Sequence, residues 1–312
     1  VPGRAARRGK PRLRATVEPE AWCAVLVNLD RRADRRAQLA RTMSAANTGL
    51  LARLTRIKAT DGRFVDLNNA ELGHIVAEDA LRRAREAQSE GAFTIVHHEG
   101  QLLRFHDHLT PGGIACAMSH HAALAAVAAH PTARWGLILE DDVAGLVPRV
   151  HELLPRLARR LPEGWDALFL GYHGGVLAGT GAGGADTAQE EARARLELPA
   201  GAGGGEPPLL QLVAPLYGLY AWMVTREAAR AALEGAFPVR GQVDYALSGW
   251  LVRARGRAFR VGPRDMLFFS PKSEDGLDSD IQTMARFEEL VNDPELCERY
   301  VSFCSRHPRQ GA

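Results

Sequence analysis

The sequence has few cysteines and almost no net charge, and both shortages exclude classes of protein. Its 312 residues include only four cysteines, none in a C-x-x-C spacing, so neither a structural zinc site nor a dense disulfide framework is expected. Because 39 basic residues are nearly balanced by 37 acidic ones, the net charge of +2 does not indicate a protein that binds nucleic acid. With 46% hydrophobic and 24% charged residues, the composition is that of a globular protein with a substantial core.

Long apolar runs are also missing. No stretch approaches the roughly 18 consecutive apolar residues of a membrane span, and the first residues lack the apolar centre of a signal peptide, so no transmembrane segment is expected in this chain. Residues 1–20 are instead rich in Arg and Pro without apolar periodicity, which predicts a flexible basic leader. The sequence leaves the oligomeric state open.

What the sequence does contain is an alternation of apolar strands and amphipathic helices. Apolar runs predict strands at 22–28, 54–59, 137–139, 165–171, 216–224 and 259–261. Helical spacing and capping residues predict helices at 31–41, 79–88, 114–130, 148–161, 225–233 and 243–253. This order predicts an α/β fold in one domain over residues 21–290, with a Gly/Ala-rich loop or insertion at 174–208 and a C-terminal tail at 291–312.

Three carboxylates follow one of the predicted strands directly. Glu140, Asp141 and Asp142 come after the apolar run Leu137–Leu139. Ligands of open α/β sheets collect beyond the carboxyl ends of the strands, and Mn²⁺ and Mg²⁺ prefer carboxylate oxygens. Because side chains alternate along a strand, Glu140 and Asp142 are expected on one face and Asp141 on the other. A solvated acidic turn that caps the next helix is the alternative interpretation.

Two further residues, His120 and Asp244, can each be interpreted either as a catalytic group or as a structural one. His120 falls on the apolar stripe of the predicted helix 114–130, where a histidine is more often a hydrogen-bonded core residue than a catalyst, and Ser119 beside it can bond back to its own turn. Six of the eleven histidines fall between positions 97 and 121, but no pair has the i, i+4 spacing with a helical acid that favours zinc.

Asp244 starts a predicted helix, either as its cap or as a base that faces the acidic triplet.

The order of several short blocks resembles glycosyltransferase family 25, which includes lipooligosaccharide and collagen galactosyltransferases. The resemblance runs from about Val25 to Gln282. Its blocks are V-N-L-D-R-R-A-D-R-R (27–36), A-T-D-G-R-F (59–64), P-G-G-I-A-C-A-M-S-H (111–120), L-I-L-E-D-D-V (137–143), W-D-A-L-F-L-G (165–171), the tyrosine-rich strand before T-R-E-A-A (225–229), and the late V-D (243–244) and S-D-I (279–281). Gly113 departs from the pattern, because the family has Glu at this place. The expanded 174–208 segment is a second departure.

The resemblance implies a GT-A fold, a Rossmann-like mixed sheet flanked by helices, that binds a UDP-hexose together with Mn²⁺ or Mg²⁺. Glu140 and Asp142 are the expected metal ligands. The residues expected to bind the nucleotide sugar are Asn28, Leu29, Asp30, Arg31, Arg35, Asp61, Arg63, Ser119 and Asp141. Arginines suit this role, since a guanidinium pairs with phosphate oxygens.

The family further implies transfer of a hexose, most commonly galactose, to a hydroxyl of a glycan or protein with inversion, which requires a base. Asp244 is the first candidate and His120 the second. Two other functions stay open: an inactive relative that serves as a binding or adhesion module, and a metal-dependent nucleotidyltransferase or phosphohydrolase. The expected compartment is the endoplasmic reticulum or Golgi lumen for a eukaryotic source, and the cytoplasm or the membrane periphery for a bacterial one.

Overall fold

A computed structural model describes residues 21–92, 94–98, 101–105, 108–175, 206–270 and 280–281. The predicted leader, most of the predicted 174–208 loop and the predicted tail lie outside the described residues. The strands are β1 (Trp22–Asn28), β2 (Leu54–Lys58), β3 (Thr94–His98), β4 (Gln101–Phe105), β5 (Trp135–Glu140), β6 (Gly145–Leu146), β7 (Ala167–Gly171), β8 (Gly174–Gly175), β9 (Leu209–Gln211), β10 (Leu216–Tyr217), β11 (Ala221–Thr225), β12 (Ala258–Val261) and β13 (Phe268–Phe269). The α-helices are α1 (Ala33–Ser44), α2 (Thr48–Leu51), α3 (Glu78–Glu90), α4 (Pro111–Ala129), α5 (Val150–Arg160), α6 (Arg226–Gly235) and α7 (Val243–Trp250).

Seven strands form the main sheet, in the order β2-β1-β5-β11-β7-β12-β9. β1 pairs in parallel with both β2 and β5, whereas β11 is antiparallel to β5 and to β7. The predicted α/β fold with a mixed sheet flanked by helices is therefore confirmed. Short two-stranded pairs, β10 with β8 and β13 with β6, lie beside the main sheet.

The strand directions gather several chain segments at one edge of the sheet. β1, β5 and β7 run the same way, and β11 runs the opposite way between β5 and β7. The carboxyl ends of β1, β5 and β7 therefore meet the amino end of β11 at a single edge. This edge carries Asn28, Glu140, Gly171 and Tyr220, and it is where an α/β sheet places its ligand site.

The centre of the sheet is buried on both faces, which explains why its strands are continuous apolar runs and not alternating patterns. Leu137, Ile138 and Leu139 of β5 are fully buried, as are Trp222 and Met223 of β11. Burying one such side chain stabilises the fold by about 1.5–3 kcal/mol. The acidic triplet is thus anchored to the most rigid part of the molecule.

Helix α4 lies against this core and carries His120 into it. The Thr110 hydroxyl caps the helix by accepting a hydrogen bond from Gly113 N at 3.0 Å, and Pro111 occupies the first turn. Along the described chain, α4 is the one helix that is long and apolar enough to cross a membrane by length and composition. Slightly more than half of its most apolar part, 56%, is buried inside the protein, as in the core helix of a globular fold.

Two predicted elements differ from the observed ones, and in the first a glycine changes the backbone direction. The predicted strand 216–224 is divided into β10 and β11 by Gly218, whose φ of 79° is left-handed and whose hypothetical Cβ would lie 2.7 Å from His173 Cδ2. The predicted helix 243–253 ends at Trp250 and continues as a π-helical turn, Leu251–Arg255. The first two residues of the predicted loop 174–208 form β8.

Candidate functional site

The acidic triplet lies at the ligand-binding edge of the sheet, and its first member is fixed by a histidine. Glu140 Oε1 is 2.9 Å from Nε2 of His120, whose side chain is fully buried in α4. A carboxylate only accepts hydrogen bonds, so Nε2 carries the proton, and the buried Nδ1 has no hydrogen-bond partner among the described residues. Burial alone would raise the pKa of Glu140, but the hydrogen bond from His120 and the charges of His173 and Arg35 hold the pKa below its ordinary value.

Asp142 is the member of the triplet whose carboxylate has an oxygen that could bind a ligand. Its Oδ1 is buried and has no hydrogen-bond partner in the part of the chain that the structure describes, although the Ser270 hydroxyl contacts the carboxyl group. Burial and the neighbouring Glu140 raise the pKa of Asp142 to about 7, against the weaker effect of Ser270. A buried oxygen without a donor beside a second carboxylate is what a hard divalent cation would satisfy. Glu140 and Asp142 therefore fit the expected Mn²⁺ or Mg²⁺.

A second set of potential ligands is centred on α4. Cys116 and His120 are one helical turn apart, and their ligand atoms and that of Glu140 all lie within 4.8 Å of one another. Burial and the nearby carboxylates raise the pKa of the Cys116 thiol well above its usual range, which keeps it protonated. Cys116 is not among the site residues expected from the sequence, and its C-x-x-x-H spacing with His120 was the signal that could have placed it in the site. Because the thiol is protonated and His120 Nε2 already bonds Glu140, the oxygen ligands of the triplet suit a cation better.

Asp141 contacts different elements from Glu140, as side-chain alternation predicts. Its carboxylate accepts a hydrogen bond from Asn28 Nδ2 at 2.6 Å and lies 3.3 Å from Arg35 Nη1. Burial raises the pKa of Asp141, and the contacts with Asn28 and Arg35 lower it. Asn28 is itself buried, and its Oδ1 accepts hydrogen bonds from Arg36 and Arg56. The end of β1 and the end of β5 are thus tied together through Asn28.

An arginine cluster lies next to Asp141. Arg31, Arg32 and Arg35 all approach Asp280, at 2.5, 3.0 and 3.6 Å. Arg31 also bonds Asp61 at 2.9 Å. Sequence reasoning missed Arg32 and Asp280 as site residues. The S-D-I block indicated this part of the chain, but no local pattern predicts that Asp280 contacts residues about 250 positions earlier.

Asp61 occupies the outer side of this cluster. Its carboxylate accepts hydrogen bonds from the backbone and side chain of Arg63 as well as from Arg31, which hold its pKa below the usual range. The hydroxyl of Ser119 accepts a hydrogen bond from Thr60 N and donates one to the carbonyl of Ala115. The predicted back-bond of Ser119 is therefore present, and Ser119 ties the turn that carries Asp61 to α4.

The remaining residues of the predicted nucleotide site lie apart from the acidic triplet. Asp30 is exposed and pairs with Arg56 and Lys58 of β2, which lower its pKa to about 2. Leu29 packs against the core, and its carbonyl accepts a hydrogen bond from Arg32 N. The structure therefore brings Asn28, Arg31, Arg35 and Asp141 together, whereas the exposed Asp30 pairs with side chains of β2.

Asp244 lies on the other side of the triplet, in the first turn of α7. It is not the N-cap, which is Gln242; its carboxylate accepts hydrogen bonds from Gly218 N at 2.8 Å and from Tyr245 N at 2.7 Å. Burial raises the pKa of Asp244, and the charge of Glu140 adds to the rise. The side chain is therefore held in one place close enough to the triplet to sense its charge.

His173 is a further residue of this edge that the sequence analysis did not select. It follows β7, its ring lies 4.9 Å from that of Tyr220, and its charge lowers the pKa of Glu140. The turn G-Y-H-G-G at the end of a buried strand was the available signal. With His173, the site is formed from the ends of β1, β5 and β7 and the start of α7.

No protein-family model and no curated protein matches this chain. Among solved structures, the apo crystal structure of mouse xyloside xylosyltransferase 1 aligns with 77% of this chain and 83% of its own, at 10% sequence identity and a TM-score of 0.33. A likeness at that TM-score carries no argument here. The fold is assigned from the strand order, and the candidate site from its own contacts.

Proposed function

We propose that this protein is a metal-dependent glycosyltransferase of the GT-A type, related to family 25. It transfers a hexose, galactose first among the candidates, from a UDP-sugar to a hydroxyl of a glycan or protein acceptor, with inversion. One observation carries the proposal: among the described residues, Oδ1 of Asp142 is buried without a hydrogen-bond partner, at the ligand-binding edge of the sheet beside Glu140, and both Arg35 and the half-buried Asp244 lie close enough to interact with the charges of the triplet.

The acids supply the metal site in this proposal. Glu140 and Asp142 hold Mn²⁺ or Mg²⁺, with Glu140 oriented by His120. The cation, when bound, neutralises the diphosphate that departs in the transfer. Asp142 loses its proton to the solvent when the site fills, because a metal ligand must be deprotonated.

The arginine cluster supplies the diphosphate site. Arg31, Arg32 and Arg35 present guanidinium groups on one side of Asp141. In the absence of a ligand their charge is balanced by Asp61, Asp141 and Asp280. Guanidinium groups form paired, charge-assisted hydrogen bonds with phosphate oxygens, so the same side chains suit the two phosphates of UDP.

Asp244 is the base of the proposed reaction. The acceptor hydroxyl gives its proton to the Asp244 carboxylate while its oxygen bonds to the anomeric carbon, and the bond between that carbon and the UDP oxygen breaks. A base poised for this step needs a raised pKa and a fixed position. Burial, with the charge of Glu140, raises the pKa of Asp244, while the bonds from Gly218 N and Tyr245 N lower it in part and fix the position of the carboxylate. His120 is less suited, because its Nε2 is engaged by Glu140 and the ring is fully buried.

Release of UDP from UDP-galactose or UDP-glucose in the presence of Mn²⁺, with and without galactoside, glucoside and peptide acceptors, tests the proposal. The expected result is Mn²⁺-dependent release of UDP that an acceptor accelerates. Asp142→Asn should abolish release and Asp244→Asn should reduce it at least 100-fold, as expected for a missing general base. Glu86→Gln, an exposed change on α3, is the matched control.

The same assay separates the competing functions. Binding of UDP without its release would favour an inactive binding module, and release of pyrophosphate or phosphate would favour a nucleotidyltransferase or a phosphohydrolase. Full activity in Asp244→Asn would overturn the assignment of the base alone.

A further inference from the structure

Two tyrosines form an exposed aromatic surface next to the proposed base. Tyr217 of β10 and Tyr245 of α7 have ring centroids 5.5 Å apart at an interplanar angle of 32°. Their side chains are 49% and 41% exposed, which places both among the few large hydrophobic residues that the described part of the chain leaves accessible. Exposed aromatic rings beside a reactive group usually mark a binding surface.

The two rings belong to the surroundings of Asp244. Tyr245 is its chain neighbour and donates its backbone N–H to the Asp244 carboxylate. Tyr217 precedes Gly218, which donates the second backbone hydrogen bond to the same carboxylate. One carboxylate thus joins the two short segments that carry the tyrosines.

The two segments that carry the tyrosines are also connected at a second place. Leu216 N donates a hydrogen bond to the Ser248 hydroxyl at 2.9 Å, a second connection between β10 and α7. Gly218 has a left-handed φ, and any side chain there would meet His173. Backbone segments connected in this way need little rearrangement when a ligand binds to the rings that they carry.

We infer that Tyr217 and Tyr245 form the subsite for the acceptor sugar, a pyranose ring that stacks on the two tyrosines and directs a hydroxyl to Asp244. The inference rests on the proposed function and assigns its acceptor as a glycoside. A pyranose presents C–H groups on one face and hydroxyls around its edge. Aromatic rings match the apolar face, and the Asp244 carboxylate matches a hydroxyl donor.

Saturation-transfer NMR on the full chain tests the subsite without any enzymatic reaction. The probes are methyl β-D-galactopyranoside and methyl β-D-glucopyranoside, with saturation of the protein's aromatic protons. The wild type should transfer saturation mainly to the C–H protons of one sugar face. In Tyr217→Ala/Tyr245→Ala the affinity should fall roughly tenfold or more.

Two control variants distinguish the contribution of ring stacking to sugar binding from other effects of the substitutions. Tyr217→Phe/Tyr245→Phe keeps the rings and should keep binding of the probe, while Val213→Ala, a change at another exposed apolar side chain, should have no effect. Unchanged binding in the double alanine variant, loss of binding in the double phenylalanine variant, or no saturation of either sugar in the wild type would each overturn the subsite.

A parallel thermal-shift titration with UDP and Mn²⁺ keeps this inference distinct from the proposed function. The double alanine variant should show the same UDP-dependent stabilisation as the wild type, which also demonstrates that it is folded. If the wild type binds the glycosides and the alanine variant does not, while UDP with Mn²⁺ stabilises neither, the subsite stands and the proposed donor chemistry fails.

Discussion

His120 Nε2 lies 2.9 Å from Glu140 Oε1, and this contact joins the middle of α4 to the last residue of β5. The histidine is fully buried, whereas the glutamate is 21% exposed. The contact therefore fixes the carboxylate from the core side and leaves its other oxygen directed toward the site. Residues that orient a metal ligand in this way typically change metal affinity about 10–100-fold when they are removed.

The first prediction concerns this contact. His120→Ala should weaken Mn²⁺ binding roughly 10–100-fold, because Glu140 loses its orienting donor. His120→Gln retains an N–H donor and should recover part of the affinity. Electron paramagnetic resonance of free Mn²⁺ measures the binding directly. His121→Ala is the control, since His121 packs on Phe237 and not on the triplet; equal affinities in all variants would rule out the positioning role.

The second prediction concerns the stability of the metal-free protein. The pKa of Asp142 is raised from 3.8 to about 7, so the folded state holds this proton more tightly than the unfolded state. Asp142 therefore reduces stability progressively as pH rises from about 4 to 7, and the full penalty applies above that range. Asp142→Asn should raise the melting temperature at pH 8 by roughly 2–4 °C or more, and the gain should shrink toward pH 4.

Added Mn²⁺ supplies the control for this prediction. It should stabilise the wild type at pH 8 and leave Asp142→Asn unchanged, because the variant lacks the charged ligand. A variant less stable than the metal-free wild type at pH 8 would show that Asp142 contributes a structural contact and not an electrostatic penalty.

The pH dependence of transfer gives a third prediction. A base must be deprotonated to act, and burial together with Glu140 raises the pKa of Asp244 above 3.8. Transfer should therefore decline on the acid side at a pH above the range of an ordinary aspartate. At saturating Mn²⁺, where Asp142 is already deprotonated, the pH profile of kcat/KM of the wild type should show this decline, and the residual activity of Asp244→Asn should lack it. An identical acid limb in the variant would assign the titration to another group.

Local sequence patterns were sufficient for some features of the site and insufficient for others. Apolar runs placed β1 and β5, and helical spacing placed His120 on the buried stripe of α4. The same patterns do not show that Asp30, a predicted nucleotide-site residue, pairs with Arg56 on β2. They also missed Asp280, because its partners Arg31 and Arg32 are brought to it only by the complete fold. Contacts between distant segments depend on packing, which no short window of sequence contains.

The fourth prediction concerns Asp166. This acid lies in one of the family-like sequence blocks, as several site residues do, but its contacts are structural. Asp166 precedes β7, is 1% exposed and is bonded in bidentate fashion by Arg255 and Arg257. Removing one arginine leaves the carboxylate paired, so each single alanine variant should cost about 1–2 kcal/mol. Removing both leaves a buried charge without a partner and should cost about 3–5 kcal/mol or more, beyond the sum of the single effects.

Urea unfolding of the four proteins in this double-mutant cycle measures the coupling. Arg253→Ala, in the same π-helical turn but exposed and outside the cluster, should be nearly neutral. Additive effects of the two arginines would show that solvent, and not the second guanidinium, compensates the charge of Asp166.

The last prediction concerns Gly113, where the resembled family has Glu. In this chain the site of its Cβ is 3.0 Å from Oε1 of Gln242, the residue that caps α7. A glutamate three residues after the capping Thr110 would complete a capping box and favour the helix N-terminus. We therefore expect a glutamate at this place to act through the cap of α4, and in this chain the side chain of Gln242 lies against the space that it would enter. Gly113→Glu should lower stability, because it displaces Gln242 at the start of the helix that carries Asp244.

A compensating substitution tests this explanation. In Gln242→Ala the space is vacant, so adding Gly113→Glu should stabilise that background by about 1 kcal/mol, the value of a good cap, instead of destabilising it. Chemical unfolding of the single and double variants gives the coupling free energy. The same destabilisation by Gly113→Glu in both backgrounds would mean that Gln242 does not replace the glutamate, and that the carboxylate itself is incompatible with the neighbouring acids.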